Sequence, residues 1–211
     1  MAVGCVVEGL TPLVFSTLWE PQVRMAVWNR PSPCLDLHED RDILLAFDGV
    51  GVSTSGQAPE WLHTDLQQLG EIFCAVSGSL FWKGRHETVR ERQCPRFHQD
   101  AVSVRLITTY AGPGTEWLFA HECGDDLDAR LSQTKGQVRT LFPGDVAIMK
   151  GSAPGWEAWP DFPVLLHRSP AASPAAPRQV LTLDVWSLEP EAAPQAVSPP
   201  PVRSPAPSPR E

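Results

Sequence analysis

The chain has 211 residues, a formal net charge of −8 and a pI near 5.2. That length suits one domain with its own apolar core, which needs neither a disulfide nor a metal to fold. An acidic balance, 17 Lys and Arg against 25 Asp and Glu, excludes a nucleic-acid surface built on clustered cations.

The N-terminus, MAVGCVVEGLTPLVF, has no basic leader region, and Glu8 interrupts its apolar stretch. It does not read as a signal peptide, and no run approaches the roughly 18 apolar residues of a membrane span. The expected location is cytoplasmic, with neither membrane nor nucleic acid as a partner. Cys5, Cys34, Cys74, Cys94 and Cys123 are odd in number, scattered and without a CxxC pair. Neither a disulfide framework nor a zinc ribbon is indicated.

Residues 1–93 read as helical or mixed α/β material. Between residues 61 and 73, Leu62, Leu66, Leu69, Ile72 and Phe73 fall at helical spacing, which predicts an amphipathic helix packed on a sheet. After Cys94 the pattern changes. The β-branched run 102–110 ends at Gly112-Pro113-Gly114, and strands are expected at 115–120, 138–142, 146–149, 163–167 and 179–186. Several short strands separated by turn signals make the fold mainly β with flanking helices. A sandwich or barrel is expected, of which the jelly roll is one form. One domain over 1–188, with its β core at 94–188, would be followed by a Pro-, Ala- and Ser-rich tail at 189–211. That tail has too few large apolar residues to offset its ordering entropy and is expected to be disordered.

The chemistry centres on a His-x-Asp pair. On a strand, residues i and i+2 share a face, so His98 and Asp100 present an imidazole and a carboxylate to one space. The motif occurs three times. His38 to Asp40 lies in the charged run HEDRD, and His63 to Asp65 lies on the helix, where i and i+2 diverge. Only His98 and Asp100 open a β-rich region with a later strand histidine, His167. Two histidines and one carboxylate form the facial triad of non-haem ferrous enzymes, which leaves coordination positions open. Arg178 begins the strand after His167, where a planar guanidinium could pair with the far carboxylate of 2-oxoglutarate. A surface arginine flanking a strand is the other reading.

Other residues admit two readings each. Cys94, four residues before His98, is either a small apolar filler or a fourth ligand, and the second would give a closed site suited to zinc. Arg105 either points into the barrel as a second positive charge for an acidic ligand or pairs with Asp125 or Asp126. Glu116 and Trp117 are placed to rim a pocket or to pack. Trp156 and Trp159, in a Gly- and Pro-rich loop, form a lid or a cover for the sheet. His86 and His121 read as surface or strand-end histidines.

In order, the His-x-Asp pair, the hairpin Gly112 to Thr115, the Pro143-Gly144-Asp145 turn, a distal histidine and an arginine resemble the iron and 2-oxoglutarate dioxygenases, the prolyl-hydroxylase-like branch above all. More specifically, CPRFHQD, RLITTYAGPGTEWL, MKG, HRSP and RQVLTLD resemble a bacterial family known as a domain of unknown function. Its genes neighbour those of zinc-homeostasis GTPases. The resemblance implies a double-stranded β-helix (jelly roll, cupin-like), with His98, Asp100 and His167 holding Fe(II). It also implies Arg178 as the 2-oxoglutarate anchor, helped by Tyr110 or Thr108. The implied activity is oxygenation of a substrate the sequence does not name. The alternative is a non-catalytic zinc-homeostasis protein on the same fold, linked to a metal-handling GTPase.

Overall fold

The structure is a computed structural model that describes residues 4–33, 42–47, 51–56, 58–123, 137–153 and 162–185. The 189–211 tail, the tryptophans at 156 and 159, Cys34 and the first His-x-Asp pair lie outside them. In chain order the strands are β1 (Val6–Gly9), β2 (Met25–Trp28), β3 (Ile43–Phe47), β4 (Val52–Thr54), β5 (Trp82–Val89) and β6 (Val104–Ala111). They continue with β7 (Glu116–Phe119), β8 (Arg139–Thr140), β9 (Val146–Lys150), β10 (Leu165–Arg168) and β11 (Arg178–Val185). A 3₁₀ helix, Pro12–Trp19, and one α-helix, α1 (Glu60–Ser77), precede β5.

The α-helix forms where the apolar spacing predicts it. Leu62, Leu66, Leu69, Phe73 and Val76 are buried along one face, each such side chain adding about 1.5–3 kcal/mol of transfer free energy. Gly78 closes the helix at φ +70°, a left-handed cap that favours glycine. Leu141 and Phe142 are not strand. Pro143 and Gly144 turn the chain there, and Asp145 accepts a 2.7 Å bond from the Phe142 N–H, leaving β8 only two residues long.

An eight-stranded sheet runs β1-β2-β9-β6-β11-β5-β3-β4, and a three-stranded sheet runs β10-β7-β8. His98 adds a bridge to His167 on the open edge of β10. The chain therefore winds from β5 in the large sheet to the His98 segment in the small one, back to β6, across to β7 and β8, and on to β9, β10 and β11 in alternation. This is the winding of a double-stranded β-helix, a jelly roll with extra strands at both edges of its large sheet. It includes β5, so it begins ahead of the expected boundary at Cys94.

Strand alternation divides the core. On the outer face of the large sheet, Val104, Leu106, Tyr110, Leu181 and Leu183 pack against α1 and the 3₁₀ helix. Between the sheets, Ile107, Ala147, Met149 and Val180 meet Trp117, Phe119 and Leu165. Phe97, Leu118, Cys123 and Leu166 form a third cluster. Among the described residues no helix is long and apolar enough to cross a membrane.

Lys150, at the end of β9, is buried and donates to the Glu20 carbonyl at 2.9 Å. Burial, with Arg24 adding repulsion, pulls its pKa down to about 8. Above pH 8 the folded chain loses this proton while the unfolded chain keeps it up to roughly pH 10.5. The unfolded state binds more protons in that window, so raising pH favours the fold. Measured by urea unfolding between pH 8 and 9.5, the stability of the natural chain should rise relative to Lys150→Met by up to roughly 2 kcal/mol.

Candidate metal centre

Local pairing assembles the first part of the site. His98 and His167 exchange backbone hydrogen bonds, N–H of 98 to O of 167 at 3.0 Å and the reverse at 2.9 Å. Directly opposed residues of an antiparallel pair point to one face, so the rings come together with centroids 4.7 Å apart. Asp100, two residues beyond His98, joins them, and ligand atoms of all three lie within 4.8 Å of one another. His167 is buried, Asp100 nearly so, and His98 leaves 35% of its side chain at the opening.

The donor geometry fits a cation. Metal–ligand bonds of about 2.1 Å put adjacent donors of an octahedral ion roughly 3.0 Å apart. His167 Nε2 lies 3.1 Å from Asp100 Oδ2, and His98 Nε2 lies 3.5 Å from Asp100 Oδ1. His98 Nδ1 sits 2.8 Å from the Arg96 carbonyl, which can only accept, so in the neutral ring the proton belongs on Nδ1 and Nε2 is free to act as a ligand. Asp100 Oδ2 is buried between His167 and Arg105, but among the described residues no N–H is aligned on it as a hydrogen-bond donor. A cation would complete it.

Electrostatics agree. Burial works against the Asp100 charge, but His167, His98 and Arg105 outweigh it and hold the carboxyl well below the usual range. Asp100 in turn raises His98 above the ordinary imidazole value, against the effect of burial.

Arg178 lines the same cleft as His98, Asp100 and His167, together with Arg105, Ile107, Thr115 and Val180. It is buried, and its hydrogen bonds go to neutral hydroxyls. Nε and Nη2 donate to Thr109 Oγ1 at 3.2 and 3.0 Å, and Nη2 donates to Thr115 Oγ1 at 2.6 Å. Among the described residues no carboxylate lies within ion-pair distance of it. Burial pulls its pKa down to about 10, opposed by the more distant charge of Glu87. Gly112 allows this placement. At φ +80° it turns the chain from β6 toward β7, and a Cβ there would run into the Pro177 carbonyl and the Arg178 backbone.

The helpers expected for Arg178 lie elsewhere. Thr108 and Tyr110 occupy the outer parity of β6, facing α1, and the Tyr110 hydroxyl donates to Asp65 Oδ2 at 2.8 Å. Thr109 and Thr115 take their place. Arg105 does point inward, but its charge is engaged: Nε and Nη2 bind Asp184 at 2.7 Å each, and Nη1 reaches Asp100 Oδ2 at 2.7 Å. Asp125 and Asp126 fall outside the described residues. Cys94 lines the cleft mouth but is exposed, and its sulfur is not among the clustered ligand atoms. Glu116 binds Arg168 and Arg92, and Trp117 packs in the core under Arg139. His86 is not at the surface. It lies buried against the Trp61 and Tyr110 rings. His121 is exposed and stacked on Phe119.

A family model described as "Protein of unknown function (DUF1826)" matches residues 38–184. By sequence, no curated protein matches. Among solved structures the chain is similar to a Pseudomonas putida prolyl-4-hydroxylase, at 12% identity and a TM-score of 0.43 over 82% of this chain and 96% of that one. It is also similar to a bsmA homologue of Methylobium petroleophilum, at 15% identity and a TM-score of 0.43, over 82% and 91% respectively. A full-length Neurospora crassa protein in complex with alpha-KG gives 10% identity and a TM-score of 0.41 over 85% and 83%. Likeness this distant assigns no activity.

Proposed function

Starting from a chain that belongs to the DUF1826 family, we propose that it is a non-haem oxygenase dependent on Fe(II) and 2-oxoglutarate. The observation that carries this reading is Arg178, a buried guanidinium facing the His98, Asp100 and His167 cleft whose partners among the described residues are threonine hydroxyls. Burying a cation without a counter-ion is costly, so the position calls for an anion supplied from outside.

The charge balance sets the anion's class. Arg105 lies between Asp184 and Asp100, so these two carboxylates balance Arg105 and Arg178 in number only, and a divalent cation would add two positive charges that none of the four groups offsets. A dicarboxylate that chelates at one end and meets Arg178 at the other matches that surplus. His98, Asp100 and His167 would hold the metal, and Arg178, aimed by Thr109 and Thr115, would offer the far carboxylate its Nη1 N–H groups, to which no described residue is bonded. Ile107 and Val180 supply an apolar floor that limits water. Ferrous iron held there, with 2-oxoglutarate as co-substrate and molecular oxygen as oxidant, would supply the chemistry for hydroxylating a carbon–hydrogen bond: one oxygen atom goes to the substrate and the other to the succinate formed as carbon dioxide leaves.

The test is anaerobic titration of the Fe(II)-loaded protein with 2-oxoglutarate, followed by visible absorption. A weak metal-to-ligand charge-transfer band that saturates with one equivalent is expected. Stoichiometric zinc that resists exchange, with no such band, would instead favour the non-catalytic zinc-homeostasis reading.

A further inference from the structure

One oxygen of the Asp100 carboxylate is held by a residue outside the triad. Arg105, at the inner parity of β6, uses Nη1 on Asp100 Oδ2 at 2.7 Å, while its Nε and Nη2 are taken by both oxygens of Asp184, also at 2.7 Å. The three side chains come from different segments, and Asp184 pairs with Arg105 in the β11–β6 register. Each is largely buried, at 14% to 17% side-chain exposure. Asp184 belongs to no triad and lies one residue removed from the carboxylate that matters.

From this chain of contacts we infer that Arg105 and Asp184 are positioning residues for the metal-binding carboxylate, and that Asp184 sets the site's affinity for divalent cations. The inference rests on the metal-site reading above. Its physical content is a competition. A guanidinium beside Asp100 fixes the carboxylate's orientation, but an uncompensated positive charge there would repel an incoming cation and hold Asp100 for itself. Asp184 removes that conflict. Its bidentate pairing takes up most of the Arg105 charge and fixes the plane of the fork, so Asp100 is oriented without being neutralised. The missing alignment of any N–H on Asp100 Oδ2 fits this division of labour: the arginine is close enough to orient the oxygen, and its directed bonds go to Asp184.

The experiment is titration of the full chain with Co(II), monitored by the visible ligand-field spectrum, which reports metal at the site without any turnover. Asp184→Asn keeps shape and loses the charge, and it should weaken Co(II) binding about tenfold or more, as outer-shell changes do. Asp184→Glu, which keeps the charge, should recover part of that loss. Tyr110→Phe serves as a comparison, because it removes a buried hydrogen bond on the opposite face of the same sheet. It should lower the melting temperature without moving the Co(II) affinity. If Asn at 184 prevents folding, Asp184→Ser makes the same comparison with less volume. An Asp184→Asn protein that loses stability as Tyr110→Phe does, yet binds Co(II) as the natural chain does, would overturn the inference and leave the metal site standing. A natural chain that takes up no Co(II) would overturn both.

Discussion

Replacing His167 by Ala is expected to abolish stoichiometric binding of a divalent cation while leaving the chain folded. His167 is the most buried of the three ligands, and it sits on the strand that joins both halves of the small sheet. Without it, His98 and Asp100 remain at the open edge as a two-point site. A protein metal site of four ligands is worth roughly 10–16 kcal/mol, so one ligand contributes on the order of 3 kcal/mol, or about a hundredfold or more in affinity. The fold should survive, because the backbone pairing of 98 with 167 does not involve the ring, and Arg105 still holds Asp100 in place. Calorimetric titration with Mn(II) measures the loss. A thermal scan with and without metal gives a second reading, since only a chain that binds the ion is stabilised by it. Unchanged affinity in the variant would move the site elsewhere.

The second large effect has opposite signs for function and stability. Arg178→Leu should eliminate 2-oxoglutarate binding and make the ligand-free protein more stable. The guanidinium is buried with neutral partners, and burial has pulled its pKa from the ordinary arginine value down to about 10. At 1.36 kcal/mol for each pKa unit, holding that charge costs on the order of 3 kcal/mol. A leucine of similar volume would lose the hydroxyl bonds, leaving Thr109 and Thr115 to find other partners, and would gain the burial of an apolar side chain beside Val180. A net rise in unfolding free energy of about 1–2 kcal/mol, read from the urea midpoint, is expected, with metal affinity unchanged. Equilibrium dialysis with labelled 2-oxoglutarate provides the functional half. A variant that becomes less stable would mean that Arg178 is structural, held for its hydroxyl network.

Much of this is legible from residue types at fixed spacing. The helix over Glu60–Ser77 follows from leucines at three- and four-residue intervals, and the triad follows from strand alternation at His98 and Asp100. The expected helpers of Arg178 are misplaced by parity, not by chemistry. With Arg105 inward, a period of two puts Ile107 and Thr109 on the same face and sends Thr108 and Tyr110 outward. The same count from Arg178 reaches Asp184, so that partner is within reach of the sequence. The buried Arg30–Asp65 pair is not. Its members lie in a loop and on a helix, and only the completed packing of α1 on the sheet brings them to hydrogen-bonding distance. The Thr115 contact depends likewise on how tightly the Gly112 turn closes.

The pairing of His98 with His167 has a consequence for how the molecule matures. His98 and His167 are distant in sequence and become neighbours only where β10 pairs with the His98 segment at the edge of the small sheet. Contacts of such long range form late, because the loop between them must be ordered first. A chain in which that pairing has not formed would offer a cation no more than the two-point pair of His98 and Asp100. If the cluster holds a cation as proposed, the ion would bridge the seam between β10 and the His98 segment, and its uptake would report that this seam has closed.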